Sequence, residues 1–210
     1  MKTLRTFASA AMAGLCIGLG GLVYLAVDDK IAGSALFTLG LFVICSFGLD
    51  LFTGKVCYLP EKDGAYALML PVIWLGNFAG TGLAALAGRA ARIAALSEKA
   101  AALCAVKLGD GLLSLFVLGM LCNMLIYLAV EGYRSIPFEL GKYLALFFGV
   151  MIFILIGTEH CVADMFYFSM AGLWSGRAAL CILTITLGNA AGGLLLRALH
   201  RFALDLKKAA

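Results

Sequence analysis

The chain has 210 residues, of which 63% are hydrophobic and only 13% charged, with a formal net charge of +4, whereas soluble domains average roughly 45–50% apolar and about 25% charged residues. A water-soluble globule is excluded, and because the apolar residues run from end to end, so is a cleavable leader on an ordinary protein. A polytopic membrane protein remains, and at about 20 apolar residues per crossing the chain accommodates roughly six or seven helices and no soluble catalytic domain. Twenty-five glycines and 11% aromatics suit closely packed helices with aromatic belts rather than a barrel of short alternating strands.

Charges and turn residues divide the chain into six apolar blocks, at about 6–27, 31–51, 65–87, 108–130, 143–168 and 177–199. The first carries Gly14, Gly18 and Gly21 at spacings that let helices approach closely and ends Leu22-Val-Tyr-Leu-Ala-Val27. The second holds Gly48-Leu-Asp50 and runs into Thr53; the third holds Leu75-Gly-Asn-Phe-Ala-Gly80. Residues 88–107, with Arg89, Arg92, Glu98, Lys99 and many alanines, read as a polar, partly helical link between two halves. The fourth block ends Leu125-Ile-Tyr-Leu-Ala-Val130, the fifth holds Gly157-Thr-Glu159 and then His160 and Asp164, and the sixth holds Leu187-Gly-Asn-Ala-Ala-Gly192.

Three matched strings in the same order make this an internal repeat, about 6–88 and 107–199, within a single transport domain. Three crossings per copy invert the second relative to the first, as in many transporters. The basic residues favour both termini inside: Lys2, Arg5, Lys55, Lys62, Arg134, Lys142, Arg197, Arg201, Lys207 and Lys208 fall on the proposed inner side, against six elsewhere.

Ionisable groups at membrane depth mark function by default, and here they cluster at matching places: Asp50 and Thr53 in the second block, Glu159, His160 and Asp164 in the fifth. Interrupted helices at corresponding positions of two halves are the best sequence pointer to a transport site. The reading is therefore an all-helical membrane protein whose second and fifth helices break near 50–54 and 157–160. Asp50 and Glu159 are expected to hold the freed backbone N–H groups, and His200 to sit at a solvated helix end. The seven cysteines form no CxxC or metal-ligand spacing and read as small buried residues; no cofactor or metal is implied.

Asp50-Leu-Phe-Thr-Gly54, Leu121-Cys-Asn-Met-Leu125, Gly157-Thr-Glu-His-Cys-Val-Ala-Asp-Met-Phe166 and Thr186-Leu-Gly-Asn-Ala-Ala-Gly-Gly193, in this order, resemble the formate/nitrite transporter family over nearly the whole chain. That resemblance implies a homopentamer of aquaporin-like protomers in the cell membrane, each passing small monovalent anions, formate first and nitrite or hydrosulfide as alternatives, often with a proton. It makes Phe52 and Thr53 the loop of the broken second helix, and Phe37, Leu41, Phe52, Ile126 and Phe153 apolar constriction residues. It makes His160 the central pore histidine, puts Asn123 on the substrate path, and makes Lys107 an anion-attracting lysine. Asp50 stands where the family usually has Glu, and Asp164 where it usually has Asn. One helical turn after His160, Asp164 is expected to share its face and favour the imidazolium. The brief termini predict that a terminal gating segment is missing.

A bare anion pays a large desolvation penalty at an apolar constriction, whereas its neutral conjugate acid crosses far more easily. Lys107 would gather anions, and His160 and Thr53 would supply hydrogen bonds between two apolar rings. Lys107 at a helix start has the alternative of merely snorkelling. An intramembrane enzyme is disfavoured by only two histidines and no GxSxG or CxxC; an aquaporin-like neutral solute channel lacks its Asn-Pro-Ala half-helix signals; nucleic acid binding has no basic patch to support it.

Overall fold

The computed structural model describes residues 1–209, with side chains through Leu206, so the side chains of Lys207 and Lys208 lie outside the described residues. The described chain is helical: α1 (Lys2–Ala26), α2 (Lys30–Phe47), α3 (Phe52–Val56), α4 (Gly64–Ala90), α5 (Leu96–Gly109), α6 (Leu112–Ser135), α7 (Glu139–Leu155), α8 (Cys161–Ala171) and α9 (Gly176–Ala209), with one 3-10 turn at Leu59–Glu61. Five of them, α1, α2, α4, α6 and α9, are long and apolar enough to cross a membrane. The fifth apolar block is divided instead between α7, 17 residues long, and α8, 11 residues long. Less than half of each long span is buried against the rest of the protein, and Leu39, Leu75, Leu121 and Leu187 are among the exposed apolar residues, an exterior that fits hydrocarbon or a neighbouring subunit rather than water.

Local chemistry sets the helix ends. Asp29 and Asp63 cap α2 and α4 by accepting from the amides of Ala32 at 2.7 Å and Tyr66 at 2.8 Å. Small residues set the packing: Gly80 of α4 lies so close to the Ala11 carbonyl of α1, and Gly192 of α9 to the Met120 carbonyl of α6, that a side chain at either position would collide with backbone. The pairs α1/α4 and α6/α9 are thus counterparts, with α2 and α7 packed between the halves.

The 88–107 link, expected to be polar and partly helical, contains α5, which buries Ala100, Cys104 and Lys107 and packs against α8, its alanines allowing close approach. One expectation is corrected. The first interruption lies at 48–51 rather than 50–54, and Phe52 and Thr53 open α3 instead of forming a loop. The helix restarts there because the Phe52 amide finds a fixed acceptor, described next.

Candidate functional site

Both interrupted helices end in the same backbone device. α2 stops at Gly48, with φ +67°, and α7 gives way at Gly157, with φ +73°, a left-handed conformation that glycine adopts without penalty. In each, the following amide reaches back six residues inclusive: Leu49 N–H to the Ile44 carbonyl at 2.9 Å, Thr158 N–H to the Phe153 carbonyl at 3.0 Å, the Schellman closure.

The next helix in each half is held by an asparagine from the third. Asn77 accepts from the Phe52 amide at 2.8 Å and donates to the carbonyls of Ala10 (2.8 Å) and Asp50 (2.9 Å). Asn189 accepts from the Cys161 amide at 2.9 Å and donates to the carbonyls of Gly119 and Glu159, both at 2.8 Å. A carboxamide does this without bringing a charge to membrane depth, since it both donates and accepts. The expectation that Asp50 and Glu159 anchor the broken helices is thereby corrected: their side chains pair with Lys55 and Lys107. The two asparagines were visible as repeated strings, but only the geometry reveals their work.

These anchors align the starts of α3 and α8 so that Thr53 and His160, both buried, meet with Oγ1 and Nε2 2.9 Å apart. His160 is the N-cap of α8 and its Nδ1 accepts from the Ala163 amide at 3.1 Å. Nδ1 therefore carries no hydrogen, which assigns the neutral ring a hydrogen on Nε2, donated to Thr53. The ring stacks on Phe153 with centroids 5.7 Å apart, and Phe153 meets Phe37 edge-on at 6.3 Å.

Two cavities share α2 as a wall around this cluster. The smaller, about 160 Å³, is lined by Tyr24, Phe37, Lys107, Phe153, His160 and Asp164 among others. The larger, about 400 Å³, is lined by Leu41, Leu51, Lys55, Tyr58, Arg134 and Arg197 among others, with Arg134 and Arg197 over the Tyr58 ring at 4.6 and 4.9 Å.

Lys107 lies in the last turn of α5, not at the start of the next helix. It points inward and is 9% exposed, so it does not snorkel. Its ammonium pairs with the Glu159 carboxylate and, at 3.0 Å, with Asp164 Oδ1. Arg177 fixes the end of α5 by donating to the carbonyls of Leu108 (3.3 Å) and Asp110. Asp164 consequently does not serve His160: among the described residues it makes no hydrogen bond to the imidazole, whose polar edge is committed to Thr53 and Ala163 while Asp164 faces α5.

The structure thus brings together Thr53 with His160, Phe37 with Phe153, and Lys107 with Glu159 and Asp164. Phe52 and Ile126 are buried and line neither cavity. Nor does Asn123 of α6, whose amide donates to the carbonyls of Thr53 at 3.1 Å and Asn189 at 2.7 Å, tying the short helix α3 to α9. His200 is no solvated end: its Nδ1 is 2.5 Å from the Tyr127 hydroxyl, because α9 continues along α6.

A family model described as formate/nitrite transporter matches residues 1–203. The chain is 29% identical over 217 aligned residues to the nitrite transporter NirC of Salmonella typhimurium, covering 90% of this chain and 79% of that one. It is 28% identical over 191 residues to the formate channel FocA of Haemophilus influenzae, covering 80% and 67% respectively. Its fold is similar to that of a solved pentameric formate channel with formate bound, with a TM-score of 0.82 at 24% identity over 98% of each chain.

Proposed function

This chain belongs to the formate/nitrite transporter family, and we propose that it passes small monovalent anions with their protons, formate first and nitrite or hydrosulfide by the same route, through a pore in each subunit of a homopentamer. It is an integral membrane protein of a family of small-anion channels and transporters. In the proposed arrangement α2 with α3 and α7 with α8 form the second and fifth of six crossings, three per repeat, so that the copies are inverted. Both termini face the cytoplasm, placing the larger, arginine-lined cavity inside and the Lys107 cavity outside.

The observation that carries this reading is the buried Thr53–His160 hydrogen bond, with His160 on the wall of the smaller cavity and Gly54, next to Thr53, on that of the larger, and with Phe153 stacked on the imidazole and Phe37 against Phe153. Aromatic and aliphatic walls exclude a hydrated anion, since stripping its water costs far more than passing a neutral acid. A formate, nitrite or hydrosulfide ion that takes up a proton in the vestibule becomes a small neutral molecule. The Nε2 hydrogen of His160 and the Thr53 hydroxyl then offer it one donor and one adaptable partner at the narrowest point. The imidazole stays neutral throughout, because protonating Nδ1 would break the cap on the Ala163 amide. The proton therefore travels with the substrate.

Parallel uptake of labelled formate, nitrite and hydrosulfide into proteoliposomes over a range of external pH tests the reading. Uptake of at least one of them, rising as the outside is acidified, is expected. Absence of uptake for all three, with a neutral solute such as glycerol or urea crossing instead, would replace it with a neutral-solute channel.

A further inference from the structure

The two repeats place different charges at one corresponding position. Five residues after Asp50 stands Lys55, at 2.8 Å from it, a closed neutral pair. Five residues after Glu159 stands Asp164, another acid, and the cation has to come from α5 as Lys107. One ammonium thus faces two carboxyl groups that are almost fully enclosed, with side chains 6% and 3% exposed. Asp164 Oδ2 is buried and has no hydrogen-bond partner among the described residues, although Asp164 lines the smaller cavity.

We propose that Asp164 binds a proton on Oδ2, and that this proton is what allows Lys107 to receive an anion. With both carboxyls ionised the cluster carries a net negative charge, and an arriving anion is repelled. With one proton the cluster is neutral, the third N–H of Lys107 is available to the cavity, and the Asp164 hydroxyl presents a second donor. Glu159 is paired with the same ammonium. The proton comes from the outer solution and stays on Asp164 while the anion is held. Anion entry is then conditional on a proton that is already in the vestibule, separate from the one the substrate carries.

The other titratable groups packed around Asp164 supply no second cation. On α5 there is Cys104 besides Lys107; on α8 itself Cys161 and Tyr167; from α1 comes Tyr24. Cys122 of α6 and Cys181 of α9 approach from behind. From α4, Arg89 reaches only the far end of α8, at the Ser169 carbonyl. The imidazole of His160 is engaged with Thr53 and Ala163.

This inference rests on the anion-transport reading, so its test has one readout that does not. Infrared spectroscopy of the reconstituted protein at neutral pH should show a neutral-carboxyl stretch that shifts when aspartate is ¹³C-labelled. Among the described residues Asp164 is the only buried aspartate, so the label alone assigns the band even if a variant folds poorly. Asp164→Asn, close in shape, should abolish that band. In labelled-formate uptake, the ratio of Asp164→Asn to wild type cancels the substrate's own titration; it should rise by about tenfold or more from acid to alkaline external pH, because wild type needs a proton on Asp164 and the amide does not. A ratio that stays flat, or a neutral-carboxyl band that moves only with labelled glutamate, overturns the proposal. If wild type takes up no formate at any pH yet keeps the aspartate band, the proton site stands and the anion reading falls.

Discussion

At 48–52 and again at 157–161 the chain makes one backbone move: a left-handed glycine, an amide closing back onto the helix just ended, and an asparagine catching the first amide of the next helix. Around that shared frame the side chains diverge. Leu51 occupies the place in the first break that His160 occupies in the second, and Lys55 the place of Asp164. The first break closes its own charge near solvent, with Lys55 and Asp50 side chains 37% and 22% exposed. The second holds an enclosed cluster that takes its cation from α5, outside the broken helix itself. Because neutral groups, glycine and carboxamide, fix the turn, the ionisable positions are free to specialise, and the symmetric scaffold supports an asymmetric site.

The strongest way to break the comparison is to remove the shared part. Asn77→Leu leaves the Phe52 amide and the Asp50 carbonyl without a partner, and Asn189→Leu the Cys161 amide and the Glu159 carbonyl, while the helical carbonyls of Ala10 and Gly119 each lose a second donor, at about 1–3 kcal/mol for each orphaned group. Both variants should lose on the order of 3 kcal/mol or more, read as similar large drops in melting temperature and in the fraction recovered as a single assembled species. A well-folded variant at either position would show that the two asparagines are not equivalent anchors.

The charged positions should respond unequally. Lys107→Met takes the ammonium away from the enclosed Glu159 and Asp164 side chains and should cost roughly 3–5 kcal/mol. Lys55→Met opens a partly exposed pair and should cost less than about 1 kcal/mol. Thermal unfolding of both variants in the same detergent gives the comparison; equal losses at neutral pH would mean that the second break is no more enclosed than the first.

Much of this frame was legible in the sequence. The paired strings, the glycines two residues before a carboxylate and the polar groups inside apolar blocks located both interruptions to within a few residues. What the sequence could not carry was the direction of side chains. Asp164 lies four residues after His160, and helical spacing alone would put them on one face. Because His160 is the cap rather than part of α8, its ring turns to Thr53 while Asp164 turns to α5. That reversal changes the expected sign of Asp164→Asn: the pH dependence should move toward alkali rather than acid. Lys107 was misplaced for a related reason, since a boundary drawn on hydropathy could not reveal that α5 is a separate buried helix. In the sequence Asn77 and Asn189 stand out only as repeat markers, because a carboxamide in an apolar block gives no hint of which backbone groups it satisfies.

A smaller effect should follow from making the two breaks alike at the other divergent position. His160→Leu gives the second break the residue of the first, removing the Nε2 donor to Thr53 and the cap on Ala163. One hydrogen bond is worth about 0.5–1.5 kcal/mol net, so labelled-formate flux per folded protein should fall by about tenfold. Thr53→Val should do the same, and the double variant should fall little further, since the two residues act through one contact. If His160→Leu lowers yield but leaves flux per folded protein unchanged, the histidine is only packing.

The smallest expected effect lies at the solvated end, where the 3-10 turn after α3 is tied to α9. Glu61 accepts two hydrogen bonds from Arg197, at 2.6 and 2.9 Å, and that guanidinium holds its carboxyl below the usual carboxylate range. A carboxyl whose folded-state value is depressed adds stability that is present above its unfolded value, about 4.3. That stability is lost as pH falls through the lower folded value. Glu61→Gln should therefore cost little at neutral pH, no more than about 1 kcal/mol for an exposed pair, and should unfold with a flatter dependence on pH than wild type in the acid range. Raising the salt concentration should erase the Glu61 contribution, because solvent ions screen it, and should leave the cost of Lys107→Met almost unchanged. A Glu61 contribution that resisted salt as firmly as the Lys107 cluster would mean that the first break's surroundings are as dry as the second's, and the contrast between a solvated and an enclosed end would fail.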